Sequence, residues 1–132
     1  LWRLASILLM LKIASRGGKS SFKRLHVLSW ALRSQGNQQT LLRVIEHELK
    51  PNDVIVRIEP SLNRAVELAY AEGLLTLIGG DRIKLTERGH EESERILASE
   101  GVLANERSFL ELLGKRLTEQ GVTELFGRER LL

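Results

Sequence analysis

Residues 71–89 read AEGLLTLIGGDRIKLTERG, and what this stretch forms decides the fold. Two short apolar runs flank Gly79-Gly80-Asp81, and glycine tolerates the positive φ that a tight hairpin requires. The stretch therefore predicts strand, turn, strand. Helical spacing flanks it on both sides. Upstream, SLNRAVELAYAEG follows Pro60, places Leu62, Ala65, Val66 and Ala69 on one face, and stops at Gly73. Downstream, Thr86 is an N-cap for TERGHEESERILASE, with Glu87 in the first turn, where a carboxylate meets the positive end of the helix.

Further upstream, DVIVRIEP alternates Val54, Val56 and Ile58 against Ile55, Arg57 and Glu59, which predicts another strand. Three helices are expected before it. The first runs from Trp2 to Ser15 and ends at Gly17-Gly18. The second, SFKRLHVLSWALRS, is capped by Ser20 or Ser21 and repeats Phe22, Leu25, Leu28 and Leu32 at helical spacing. The third, QQTLLRVIEHELK, runs until Pro51, where helix is disfavoured. Two more helical pieces close the chain, ERSFLELLGKRLTEQG and VTELFGRERLL. There are no repeats, low-complexity tracts or interdomain linkers.

A helix ending in Gly73-Leu74-Leu75, then a hairpin closing in Leu85-Thr86-x-x-Gly89, then a helix, resembles a winged-helix domain. The likeness covers about residues 37–98. It implies a mainly α fold with a small β-hairpin wing (a winged helix-turn-helix) and helical extensions at both termini. Residues 1–36 would form an N-terminal helical hairpin, 37–99 the winged-helix core and 100–132 the C-terminal extension, in one compact unit. A narrower likeness rests on FKRLHVLSWALRS followed by IVRIEPSLNRAVELAYAEGLL, a short wing and a helical tail. Over roughly residues 20–126 this order is similar to the middle components of three-component ABC-ATPase systems. These include the small accessory subunits of Lamassu-type phage-defence complexes. That resemblance implies a larger partner subunit, an ATPase related to the structural-maintenance-of-chromosomes proteins.

Charge is unevenly distributed. The first 45 residues hold eight basic side chains and no acid, while the rest of the chain is net negative and the total is +3. Either the halves neutralise each other on folding, or the basic half meets an anionic partner. Arg16, Lys19, Lys23 and Arg24 fall within nine positions with no acid between them. This cluster is the candidate contact for a nucleic-acid backbone or an acidic protein surface. Phosphate contact of this kind is independent of base sequence and steeply salt-sensitive. Arg82 and Lys84, alternate residues of one strand, are candidate wing contacts.

The helix before the wing occupies the position that would enter a major groove in a sequence-specific repressor. It offers Ser61, Asn63 and Arg64, but also Glu67 and Glu72, and carboxylates face phosphate at an electrostatic cost. It is a poor reader of DNA. Protein contact is the alternative use of such a helix. The apolar first helix and the stripes of the last two predict an association surface, with Trp2, Leu9, Trp30, Phe109, Leu113 and Phe126 as candidate interface residues. A larger subunit or a second copy of the chain would cover them.

Enzymatic readings find little support. Residues 14–21, ASRGGKSS, contain Gly-Lys-Ser, but a phosphate-binding P-loop needs a glycine where Ile13 stands and a strand where a Leu- and Met-rich helix approaches. A turn and a helix cap are the expected use of this stretch. His26, His47 and His90 are scattered, His47-Glu48 lacks the second histidine of a zinc-protease helix, and there are no cysteines. No enzyme activity, cofactor or metal is expected. The apolar opening carries Arg3 and Lys12 and falls short of the ~20 residues that span a bilayer. A helix buried on most of its circumference is the expectation, with a signal peptide centred on Leu4 to Leu11 as the alternative. The expected location is the cytoplasm, without membrane contact.

The expectation is thus a non-catalytic accessory subunit of a DNA-associated ATPase complex in bacterial anti-phage defence. The alternative is a dimeric winged-helix DNA-binding transcriptional regulator.

Overall fold

A computed structural model describes residues 2–127. In chain order these form α1 (Trp2–Ala14), β1 (Lys19–Ser21), α2 (Phe22–Leu32), α3 (Gln35–Ile45), α4 (Pro60–Ala71), β2 (Leu75–Leu77), β3 (Arg82–Leu85), α5 (Glu87–Ala98), α6 (Ala104–Leu113) and α7 (Glu119–Gly127). The chain is mainly helical, with a small antiparallel sheet in the order β1-β3-β2 that carries the hairpin wing.

The core is organised around α1. Its residues from Ser6 through Leu11 are all buried, so the helix is enclosed on every side rather than along one stripe. It packs against α4, α5 and α6 and touches β3 and α2. This explains why its sequence lacks amphipathic alternation. Among the described residues, no helix is long and apolar enough to cross a membrane. Residues from 1–36, 37–99 and 100–132 contribute to one continuous hydrophobic cluster.

Two helix caps are the expected ones: the Ser21 hydroxyl accepts from Arg24 N at the start of α2, and the Thr86 hydroxyl accepts from Gly89 N at the start of α5. Ser34, which the sequence did not single out, caps α3, and the helix then runs through Gly36 and Asn37. Gly89 has a further role. A Cβ there would lie 2.1 Å from the Leu74 carbonyl oxygen, so only glycine lets α5 approach the strand entry this closely.

The third strand is not the expected one. Residues 54–58 run outside any strand pairing, and β1, expected as a turn and cap, pairs with β3 instead. The register sets Lys19 against Lys84, Ser20 against Ile83 and Ser21 against Arg82. On the other side, Leu75 faces Leu85 and Leu77 faces Ile83. The physical reason is local. Val54 and Val56 are buried against the body, which anchors their segment over the core and away from the sheet edge. Gly17 and Gly18 both adopt positive φ and turn the chain after α1 alongside β3. The third helix is also shorter than expected, ending at Ile45 before His47 enters a left-handed conformation.

Candidate functional site

The sheet brings together basic residues that are far apart in sequence. Opposite residues on paired strands share a face, and neighbours along a strand alternate. Lys19, Arg82 and Lys84 therefore lie on one face, while Ser20 and Ile83 turn inward and are fully buried. Lys19 and Lys84 are directly opposite, an unfavourable placement for two like charges. At the end of this face, Arg16, Lys19, Arg82 and Lys115 surround a depression of about 140 Å³ whose wall includes Leu117, Thr118 and Glu119. Among the described residues, none of these four side chains forms an ion pair, nor do Lys23 and Lys84.

Arg24 does not belong to that surface, and the expectation that it contacts phosphate is corrected. It is 4% exposed and forms the floor behind the depression. Its guanidinium donates to Leu117 O at 2.7 Å, to Ser15 Oγ at 2.7 Å and to Ala14 O. It thereby ties the end of α1 to the α6–α7 connection. Burial pushes its pKa below the usual arginine value, and the Glu119 charge partly restores it. Glu119 is also occupied: its oxygens accept from Ser21 Oγ at 2.7 Å and from Ser21 N at 3.1 Å. The acid that lines the depression among the described residues is thus held at the start of α2.

Most of the expected protein-interface residues are core. Leu9, Trp30, Phe109, Leu113 and Phe126 are buried within this chain, because α1 packs on α6 while α2 packs on α3 and α7. Trp2 remains on the surface at 50% exposure, with the Arg3 guanidinium 5.7 Å from its ring centre.

No protein-family model, curated protein or solved structure matches this chain.

The helix preceding the wing, α4, presents little that could read bases. Ser61 bonds Glu59. From Ser61 to Glu72 the exposed positions are Asn63, Arg64, Glu67, Leu68, Tyr70, Ala71 and Glu72, where two carboxylates and apolar side chains outnumber the groups that bond bases. Beside them, α1, α4 and α5 frame an apolar groove of about 520 Å³ that includes Leu4, Leu8, Leu68, Leu74 and Ile96. The histidines are separate. His26 is buried, His47 is exposed in a left-handed turn, and His90 Nδ1 lies 3.3 Å from Lys12 Nζ. Among the described residues, no group of His, Asp or Glu is arranged to hold a metal ion.

Sequence reading missed Lys115 and Glu119. Neither has a local signature. Lys115 follows Gly114 at the end of α6, and only packing of the α6–α7 connection against β1 brings both residues to the sheet.

Proposed function

We propose that this chain is a non-catalytic winged-helix accessory subunit of a DNA-associated ATPase complex of the structural-maintenance-of-chromosomes type, serving in bacterial anti-phage defence. In this role it touches the nucleic-acid backbone without reading sequence. The observation that carries the reading is the separation of surfaces. Cations without an ion pair among the described residues gather on the outer face of the wing sheet, while α4 and its C-cap set Glu67, Glu72, Leu68 and Tyr70 beside Asn63 and Arg64. Side chains that bond phosphate position a protein without specifying sequence, whereas a repressor needs base-reading groups on the helix in the groove. A dimeric regulator would need those groups on α4. The acidic and apolar face there suits contact with a larger protein subunit.

Titration of duplex DNA of unrelated sequences against salt tests the nucleic-acid part. Wild-type protein should bind all sequences alike, with affinity falling steeply as salt rises. Replacing Arg16, Lys19, Arg82 and Lys115 with Ala should flatten the log–log slope by roughly 0.9 for each phosphate that is no longer neutralised. An unchanged slope removes this face from DNA contact. The subunit part is tested by affinity capture from the native host. Recovery of a coiled-coil ATPase with wild type, and its loss with Glu67→Lys/Leu68→Asp, is expected; a sequence-specific promoter complex formed by the chain alone would overturn it.

A further inference from the structure

We infer that the basic depression at the end of the wing sheet seats the terminal phosphate of a nucleic-acid strand, so that the chain holds strand ends in preference to the interior of the backbone. This rests on the reading above that the sheet face meets nucleic acid. Four cations from three stretches of chain line the depression: Arg16 and Lys19, then Arg82, then Lys115. None of them forms an ion pair among the described residues. Lys84, directly across from Lys19, extends the charge on the same face. Like charges opposed across strands are destabilising, and an anion seated among them relieves the repulsion.

The floor points the same way. Arg24 lines the depression, is 4% exposed and has no ion pair among the described residues. Buried charges are normally paired. Its bonds run to Leu117 O, Ser15 Oγ, Ser20 Oγ and Ala14 O, and a guanidinium has five N–H donors, so one is left over among the described residues. One acid, Glu119, stands on the wall, and its oxygens accept from Ser21 at 2.7 and 3.1 Å. It offsets one positive charge and leaves the recess strongly cationic.

Size and charge then select the phosphate. At about 140 Å³ the depression is far smaller than the roughly 300–1,000 Å³ of a site for a whole small ligand, which suits a single tetrahedral oxyanion. Inside a strand each phosphate is a diester with one charge, and the chain leaves it on two sides. A terminal phosphate is a monoester tethered on one side, with about −1.5 to −2 charges at neutral pH and three acceptor oxygens. Cations converging on one small recess match the group that is doubly charged and enters end-on. An uninterrupted backbone lays single charges in a row, which the open sheet face around Lys84 meets without the recess.

Fluorescence anisotropy on short duplexes of one sequence tests this, with phosphate at the 5′ termini, at the 3′ termini, or hydroxyl at both. At least one phosphorylated form should bind at least tenfold tighter than the hydroxyl form. Lys115→Ala or Arg82→Ala, both at exposed positions, should remove that preference. Lys84→Ala, on the same face but outside the recess, should weaken all three duplexes alike and keep their ratio. Circular dichroism checks that each variant is folded. At constant ionic strength, inorganic phosphate should erase the preference and leave hydroxyl-ended duplex bound as before. Equal affinity for the three duplexes overturns the inference. If that shared affinity still falls steeply with salt, backbone contact stands and the end seat alone fails; if no duplex binds, the reading of the face fails with it. A melting temperature raised by inorganic phosphate without any preference for ends gives the recess to the free ion and also overturns the inference. So does a preference that survives both Lys115→Ala and Arg82→Ala.

Discussion

At the scale of single residues, Arg24 shows how a charge can be structural although it sits in a basic run. Its guanidinium satisfies the Ala14 and Leu117 carbonyls and Ser15 Oγ together, three acceptors in different parts of the chain. Only a planar fork with several donors can do this, and lysine offers a single point of charge. Arg24→Met should therefore destabilise the fold by about 3 kcal/mol, because it leaves buried carbonyls unsatisfied. Arg24→Lys should recover little of that loss. Urea denaturation measures both. Gly89 is the second such position. Gly89→Ala would force a Cβ against Leu74 O, itself bonded to Thr86 N at 3.1 Å, and should cost about 2 kcal/mol through displacement of α5. A thermal melt of the variant gives the shift directly.

At the scale of elements, α1, α2 and α4 meet around Glu59 and His26. Arg3 reaches Glu59 at 2.6 Å and Arg33 reaches it at 3.5 Å. Burial pushes the Glu59 carboxyl up, but the hydrogen bond and charge of Arg3, with Arg33 and Ser61, outweigh it and hold the pKa below its ordinary value. Burial lowers the His26 pKa, with Asn63 and Glu59 opposing in part. Its Nδ1 has no partner among the described residues. Both groups therefore bind protons more weakly in the folded chain than in the unfolded one, whose reference values are about 6.5 and 4.3. Stability should be full above about pH 6.5, fall first as the unfolded chain protonates at histidine, and fall again below about pH 4.3. His26→Gln should flatten the upper limb and Glu59→Gln the lower, measured by denaturant unfolding across this range. The elements differ in how legible they were. Caps at Ser21 and Thr86 and the Gly79-Gly80 turn act within a few residues, so α2, α5 and the hairpin could be read directly. The strand KSS carries no propensity signal, and pairing with β3 alone makes it a strand. VIVRI carries a strong signal but pairs with no strand among the described residues. Burial of Leu9 and Phe109 depended on how α1 and α6 pack, which no local pattern reports.

At the scale of the whole molecule, folding answers the charge imbalance only in part. Arg3 and Arg33 meet Glu59, Lys12 meets Glu94, Arg43 meets Glu48, and Arg24 lies within the field of Glu119. Among the described residues Arg16, Lys19 and Lys23 form no ion pair, and the fold adds Arg82, Lys84 and Lys115 near Arg16 and Lys19. The basic face is thus assembled by tertiary structure from three stretches of chain, and its position was only half visible in the sequence. Such a face repels itself. Two of the pairs, Arg43–Glu48 and Arg116–Glu46, are between exposed groups at 3.8 Å, contribute little, and lose little when screened. Repulsion on the sheet should therefore dominate the response to salt. Raising sodium chloride from roughly 20 to 300 mM should raise Tm by about 3 °C, as the Debye length contracts below the spacing of these charges. The variant with Arg16, Lys19, Arg82 and Lys115 replaced by Ala should begin with the higher Tm and change little. Heparin at low salt should stabilise wild type alone, since a ligand that binds only the folded state shifts the equilibrium toward it. Salt then acts with opposite sign on stability and on polyanion binding, as expected of cations kept apart from acids on a surface that an anion covers. A Tm that falls with salt in both proteins would show that the ion pairs outweigh the repulsion.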